Sequence, residues 1–320
     1  MDDLRDITIL NAADVARLAP YAELVEAFDL GHRSTPADVR RIAYGPVGSD
    51  QHFMALPAWQ PNQAIGVKLV TVFPDNPGRG LPSVQGVVLL FDGSTGAALA
   101  LIDGTELTYR KTASDSALGS RYLSRPESGT LLMVGAGALA AHLIAAHRAV
   151  RPSIDRVLIW NRTRVRASEL VQSGVADEVV DDLERAVRQA DIICTATMTN
   201  QPLISGAWLR PGTHVDCVGA YLPDHREIDD DVVRLAEIFV DTRLTPLIES
   251  GDLVIPLASG VITEADIRAD LYELCQGKHV GRSDATAITM YENGGGGHLD
   301  LMTAQHIWRN YQPVRGSADR

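Results

Sequence analysis

Two groups of residues in this 320-residue chain have the types and spacing for chemistry. The first is a set of cations in apolar or strand-like surroundings: Arg41, Lys68 and Arg110. Lys68 interrupts Gly66-Val-Lys-Leu-Val-Thr-Val-Phe73, where an uncompensated charge inside a sheet would be costly. An anionic substrate group would satisfy it, and so would a place on the solvent face of the strand; the sequence leaves both open.

The second group is Gly135-Ala136-Gly137-Ala138-Leu-Ala140. It follows the apolar run Leu131 to Val134 and precedes an Ala- and Leu-rich helix reaching about Val150, after which Arg156 to Trp160 reads as a second strand. The unit is βαβ with G-x-G-x-x-A at its first turn. Gly135 permits the tight turn, Gly137 lets the backbone approach a pyrophosphate, and Ala140 lets helix and strand pack closely. Phosphate would sit on the amides at the positive end of the helix. The second strand ends in Asn161-Arg162-Thr163, where an NAD site usually offers a carboxylate to the ribose 2′-OH. Here no carboxylate repels a 2′-phosphate, and Arg162 offers a planar donor fork. NADP(H) is the expected cofactor, with NAD(H) left open as a second.

Other chemistries find little support. No H-x-x-x-H pair occurs, and His142 and His147 lie five apart, on different helix faces, so no metal site is expected. G-x-S-x-G and P-loop motifs are absent. His298, after Gly294 to Gly297, reads as a loop residue rather than a catalytic one.

Composition narrows the class. Hydrophobic content of 45% and charged content of 22% are those of a globular protein, long enough for two domains. The net charge of −12, from 29 basic and 41 acidic residues, argues against a nucleic-acid partner. Cys194, Cys217 and Cys275 are few and odd in number, as in a reducing compartment. Met1 to Asp6 is charged, unlike a signal peptide, and no run approaches the roughly 20 apolar residues of a membrane span. A cytoplasmic protein without membrane partners is expected.

The elements that must hold these groups alternate in two ways. Ile7 to Leu10 reads as a strand, Ala12 to Ala19 and Tyr21 to His32 as helices, and Val39 to Tyr44, Gln51 to Leu56 and Ala64 to Phe73 as strands. A hairpin follows, Gly86 to Phe91 and Ala97 to Ile102 around Gly93-Ser-Thr-Gly96. Asp103, with Glu106 three residues on, caps a helix that carries Arg110 and Lys111 to about Leu123. Beyond Thr163 come strands at Val179-Val180, Ala190 to Thr197, Gly212 to Gly219 and Ala236 to Asp241, separated by helices, which implies a doubly wound parallel sheet. A terminal helix from about Asp300 could return to the first domain. The expected division is residues 1–124 with 300–320, an α+β substrate-binding and dimerisation domain, and residues 125–299, the cofactor domain, joined at Arg125 to Gly129.

Taken together the motifs resemble the ornithine cyclodeaminase/mu-crystallin family. The matching pieces are Arg41, Phe53-Met-Ala-Leu-Pro-Ala58, Gly66-Val-Lys-Leu-Val-Thr71, Leu107-Thr-Tyr-Arg-Lys-Thr-Ala113 and Val134-Gly-Ala-Gly137. They continue through Ile159-Trp-Asn-Arg-Thr163, Val218-Gly-Ala220, Pro223-Asp-His-Arg-Glu227 and Asp300. The resemblance implies a Rossmann cofactor domain and a homodimer built through the first domain. It implies that cations at Arg41, Lys68 and Arg110 hold a substrate carboxylate, and it adds Thr195, Val218 and Gly219 to the cofactor contacts. The family's cyclodeaminases carry carboxylates where this chain has Met54 and Tyr221, so the resemblance points to the ketimine reductases. The implied reaction is NADPH-dependent reduction of Δ1-pyrroline-2-carboxylate or Δ1-piperideine-2-carboxylate to L-proline or L-pipecolate. Lys68, Tyr221 or a water would protonate the imine. An alanine dehydrogenase, an ornithine cyclodeaminase and a non-catalytic NADP-dependent ligand-binding protein are the alternatives.

Overall fold

The computed structural model describes residues 7–46 and 48–318; the charged stretch Met1 to Asp6 lies outside them. The chain divides into two compact units, Met1–Lys111 with Gly296–Arg320, and Thr112–Gly295.

In the first unit the elements run β1 (Thr8–Leu10), α1 (Ala12–Leu18), α2 (Tyr21–His32), β2 (Asp38–Val39), β3 (Ile42–Tyr44), β4 (His52–Gln60), β5 (Ala64–Val72), β6 (Val84–Asp92), β7 (Ala98–Asp103) and the start of α3 (Gly104–Leu123). Local chemistry sets several ends. Asn11 and Asp14 form a reciprocal capping box on α1. Asp92 Oδ1 accepts from the amides and hydroxyls of Ser94 and Thr95 to close the β6–β7 hairpin, with Gly96 at φ +73°. Asp103 Oδ1 accepts from the Glu106 amide at 2.8 Å and starts α3.

The sheet has the order β1-β7-β6-β5-β4-β2, with β3 also paired to β4; the β1–β7 pair is parallel and the rest antiparallel. Ala64, Gly66, Lys68 and Val70 of β5 are buried on one face with Val88, Leu90, Ala100 and Ile102. The last helix of the chain, Gly297–Ala318, packs on that face together with α2. Gly66 allows its close approach, since a Cβ there would sit 3.0 Å from Leu301 Cδ1. The alternation of β5 therefore turns Lys68 inward, while Val67, Leu69 and Thr71 take the less buried face.

The second unit continues with β8 (Thr130–Val134), α4 (Ala140–Val150), β9 (Arg156–Trp160), α5 (Arg164–Gln172), β10 (Glu178–Val179), α6 (Leu183–Val187), β11 (Ile192–Thr195) and β12 (His214–Cys217). Then come α7 (Asp230–Leu235), β13 (Glu237–Val240), α8 (Pro246–Glu249), α9 (Gly251–Ala258), β14 (Ile267–Asp270), α10 (Leu271–Cys275) and β15 (Thr289–Glu292), and the chain ends in α11 (Gly297–Ala318) of the first unit. Eight strands form one parallel sheet, ordered β10-β9-β8-β11-β12-β15-β13-β14. This is the expected doubly wound α/β architecture. On one face its core is a row of laterally paired apolar residues, Leu132, Ile193, Val215, Met290 and Ile238.

The division falls inside α3, at Lys111 and Thr112, and not at the Arg125 to Gly129 linker. The reason is packing. Ser116 Oγ donates to Asp216 Oδ1 at 2.9 Å, Tyr291 Oη donates to Asp115 Oδ1 at 3.1 Å, and Gly119 lies so close to the Tyr291 ring that a Cβ would come within 2.8 Å. The second half of α3 is thus part of the parallel-sheet unit. Among the described residues no helix is long and apolar enough to cross a membrane.

Candidate active site

In the first unit β5 delivers Lys68, α3 delivers Lys111 and α11 delivers Asp300. Lys68 Nζ lies 3.0 Å from both Asp300 oxygens. Lys111 Nζ lies 3.2 Å from Asp300 Oδ1 and 3.3 Å from the Gly296 carbonyl oxygen. All three side chains are nearly sealed, at 7%, 6% and 3% exposure for Lys68, Lys111 and Asp300. Two ammonium groups face one carboxylate, so the cluster holds one positive charge in excess, and an anionic ligand would balance it. Burial lowers the Lys68 pKa to about 8; Asp300 opposes this and Lys111 adds to it. Burial disfavours the Asp300 carboxylate, but Lys111 and Lys68 together hold its pKa below the ordinary range.

Arg110 does not join this cluster. Its Nε donates to Glu106 Oε1 at 2.6 Å, its Nη1 donates to the Ala19 carbonyl oxygen at 3.0 Å, and its guanidinium lies 4.8 Å from the Tyr21 ring centroid. Adjacent helix positions point about 100° apart, so only one of Arg110 and Lys111 can face Asp300. That one is Lys111, which the reading of isolated cations passed over. The available signal was Glu106, four residues before Arg110, which marks the face of an ordinary helix ion pair. Arg41 is exposed, between β2 and β3, with Nη2 3.6 Å from Met54 Sδ.

His298 is a buried helical residue and not a loop residue: it belongs to α11, and its ring meets that of His32 edge-on at 5.7 Å. Burial drives its pKa well below the ordinary histidine value, which leaves it neutral.

In the second unit the G-x-G-x-x-A turn lies between β8 and α4. Gly135 has φ +112°, and a Cβ there would stand 2.5 Å from the Ala196 carbonyl oxygen, so only glycine fits. Its amide donates to the Trp160 carbonyl oxygen at 2.8 Å. Gly137 faces open space, and Gly137 and Ala138 are exposed. No side chain caps the start of α4. An open backbone at a helix N-terminus suits a pyrophosphate. Asn161 ties the turn to the end of β9: its Oδ1 accepts from the Ala136 amide at 3.1 Å, and its Nδ2 donates to the Thr163 carbonyl oxygen at 2.8 Å. Arg162 and Thr163 are exposed beside it. The residues present therefore fit a dinucleotide.

Val218 and Gly219 follow β12, and Tyr221, 52% exposed, stacks obliquely at 5.9 Å from the His225 ring. Thr195 is fully buried at the end of β11, and its hydroxyl donates to Glu227 Oε2 at 2.7 Å.

Among the described residues the fold also assembles two buried groups with metal-ligand atoms that no sequence spacing announces: His147, Cys194 and Asp216, and Cys217, Asp252 and Glu292. In the first, Asp216 is already engaged by Ser116, Cys194 Sγ at 3.0 Å and His147 Nε2 at 3.1 Å.

Comparison with known proteins places these features in context. The model of the ornithine cyclodeaminase/mu-crystallin family matches residues 5–313. A Δ1-pyrroline-2-carboxylate reductase of Paracoccus denitrificans is 43% identical over 304 residues, covering 94% of this chain and 96% of the relative. The structure of the Thermococcus litoralis Δ1-pyrroline-2-carboxylate reductase, in complex with NADH and L-proline, superposes with a TM-score of 0.89 at 30% identity, covering 96% of this chain and 98% of that one. An archaeal alanine dehydrogenase dimer with bound NAD gives 0.87 at 26% identity, covering 97% of both chains.

Proposed function

Since the chain belongs to the ornithine cyclodeaminase/mu-crystallin family, we propose that it is a nicotinamide-dependent oxidoreductase that reduces a cyclic imine carboxylate. The substrates proposed are Δ1-pyrroline-2-carboxylate and Δ1-piperideine-2-carboxylate, giving L-proline and L-pipecolate. The observation that carries this reading is the buried Lys68–Asp300–Lys111 cluster with its excess positive charge. A carboxylate attached directly to the imine carbon supplies the missing anion, and holding it fixes the ring. Reduced nicotinamide, when bound, supplies the hydride. Lys111 keeps the carboxylate. Lys68, with its pKa near 8, carries a proton at neutral pH that it can hand to the imine nitrogen, and an iminium accepts hydride far more readily. Asp300 holds both ammonium groups in place.

NADPH is the proposed reductant. Arg162 is exposed at the end of β9, and Asn161 spends its side chain on the backbone, so no carboxylate there repels a 2′-phosphate.

The proposed partner is a second copy of the chain, seated on the first sheet. The face opposite Lys68 carries Val67, Leu69, Leu89 and Leu101, with Ile9, Phe53, Trp59 and Val87 at 37–74% exposure. So much contiguous apolar surface marks an interface.

The alanine dehydrogenase similarity favours one second reading, since a cation pair serves an open-chain imine carboxylate equally well. Steady-state rates decide. Turnover of Δ1-pyrroline-2-carboxylate with NADPH, exceeding that with pyruvate plus ammonia, supports the cyclic-imine reading; the opposite ranking replaces it with the dehydrogenase. Comparison with NADH sets the cofactor preference.

A further inference from the structure

Glu227 has an environment that the proposed reaction does not use. The side chain is fully buried, against residues at and just beyond the ends of β11 and β12. Its Oε1 accepts from the Thr197 amide and hydroxyl, both at 2.6 Å, and its Oε2 accepts from Thr195 Oγ1 and the Gly219 amide, both at 2.7 Å. Its own backbone is fixed as well: the amide donates to Asp252 Oδ1 at 2.8 Å, and the carbonyl accepts from Leu203 and Ile204. The four donors to this carboxylate, two backbone amides and two hydroxyls, are neutral, and three of them belong to Thr197 and Gly219, in the segments that leave β11 and β12. These segments touch. A Cβ on Gly219 would stand 2.1 Å from the Thr197 carbonyl oxygen and 2.6 Å from Glu227 Oε1.

Topology says what this end of the sheet faces. Ligands of doubly wound sheets bind beyond the carboxyl ends of the strands, at the point where strand order reverses. Here that point is β8, with β9 on one side and β11 then β12 on the other. The pyrophosphate turn follows β8 and the adenosine ribose position follows β9. The other nucleotide of the cofactor therefore belongs beyond β11 and β12, where Thr197 and Gly219 lie.

We infer that Glu227 is a positioning residue for the nicotinamide half of the cofactor, clamping the segments after β11 and β12 at one spacing. The inference rests on the dinucleotide reading of this unit. A carboxylate accepts at both oxygens, whereas a glutamine must aim one NH2 group at donors. Glu227→Gln therefore sets its NH2 group against a backbone amide, of Thr197 or of Gly219, without changing shape, while the threonine hydroxyl beside it can turn to accept.

The test is binding rather than turnover. Dissociation constants for NADPH, and for 2′-phospho-ADP-ribose, which lacks nicotinamide, are measured on the full chain and on Glu227→Gln and Thr197→Val. NADH and ADP-ribose are titrated in parallel. The expected result is about tenfold weaker binding of the intact cofactor by Glu227→Gln, a severalfold loss in Thr197→Val, and unchanged affinity for the fragment. Equal loss for cofactor and fragment makes Glu227 a general support of the domain and overturns the inference, as does no loss at all. If Glu227→Gln does not fold, the cofactor-to-fragment ratio of Thr197→Val decides by the same criteria. A wild-type chain that binds neither cofactor nor fragment overturns the dinucleotide reading itself, and a wild-type chain that binds only NADH and ADP-ribose moves the comparison to that pair.

Discussion

The two units each bury a cluster of ionisable groups, one dominated by ammonium groups and the other built of acids. In the first unit Lys68 and Lys111 share Asp300, leaving a positive charge in excess. In the second, Glu227, Asp252 and Glu292 lie close together with Cys217. Burial, reinforced by the neighbouring acids, raises the pKa of Asp252 above the ordinary carboxylate range and that of Glu292 well above it. An acidic cluster can cancel its own charge by keeping protons. The first cluster retains its charge at neutral pH, because Lys68 still holds its proton below about pH 8. The difference separates a site that awaits an anion from a cluster that has settled its charge internally.

Breaking the first cluster should have the largest consequence. Lys68→Met removes both the proposed proton donor and one anion contact, and kcat/KM for the cyclic imine should fall about 10³-fold. An effect under tenfold would remove Lys68 from the chemistry.

A gentler way to discharge the same cluster is pH. Lys68 acts as its ammonium form, so activity should be full below about pH 8 and decline with rising pH, approaching tenfold per unit. A flat profile through about pH 9.5 would contradict the assignment, since an unperturbed lysine would titrate nearer 10.4.

The second cluster should answer in stability instead. The folded state keeps a proton on Asp252 that the unfolded chain releases from about pH 4 upward, so this group makes stability fall as pH rises above that point. Asp252→Asn retains an oxygen for the Glu227 and Ile228 amides and removes the titration. Thermal midpoints of the variant should change less between pH 6 and 8 than those of the wild type, by the equivalent of about 2 kcal/mol. Identical slopes would show that Asp252 is ionised.

Some of this arrangement could be read directly from the residues. The βαβ unit was legible because Gly135, Gly137 and Ala140 each answer a local steric demand, and the burial of Lys68 was foreshadowed by the β-branched run around it. Lys111 was not legible. Whether Arg110 or Lys111 faces Asp300 depends on how α3 is rotated against β5 and α11, which is settled by tertiary packing and not by local sequence. The strands β14 and β15 were missed for a related reason: Ile267-Arg-Ala-Asp270 and Thr289-Met-Tyr-Glu292 are short and carry charge, and their place in the sheet comes from neighbours distant in sequence. Glu227 looked like one member of a motif. Its role as an acceptor is visible only once Thr195, Thr197 and Gly219 converge on it from the ends of two strands.

The central claim is that the excess ammonium of Lys68–Asp300–Lys111 holds the substrate carboxylate, and the neighbouring pair on α3 tests it most directly. The measurement is kcat/KM for Δ1-pyrroline-2-carboxylate in Lys111→Met beside Arg110→Met. The account predicts a loss of about 10²-fold in the first, mostly in KM, and a change within about threefold in the second. The reverse order would return the anion-holding role to Arg110 and contradict it.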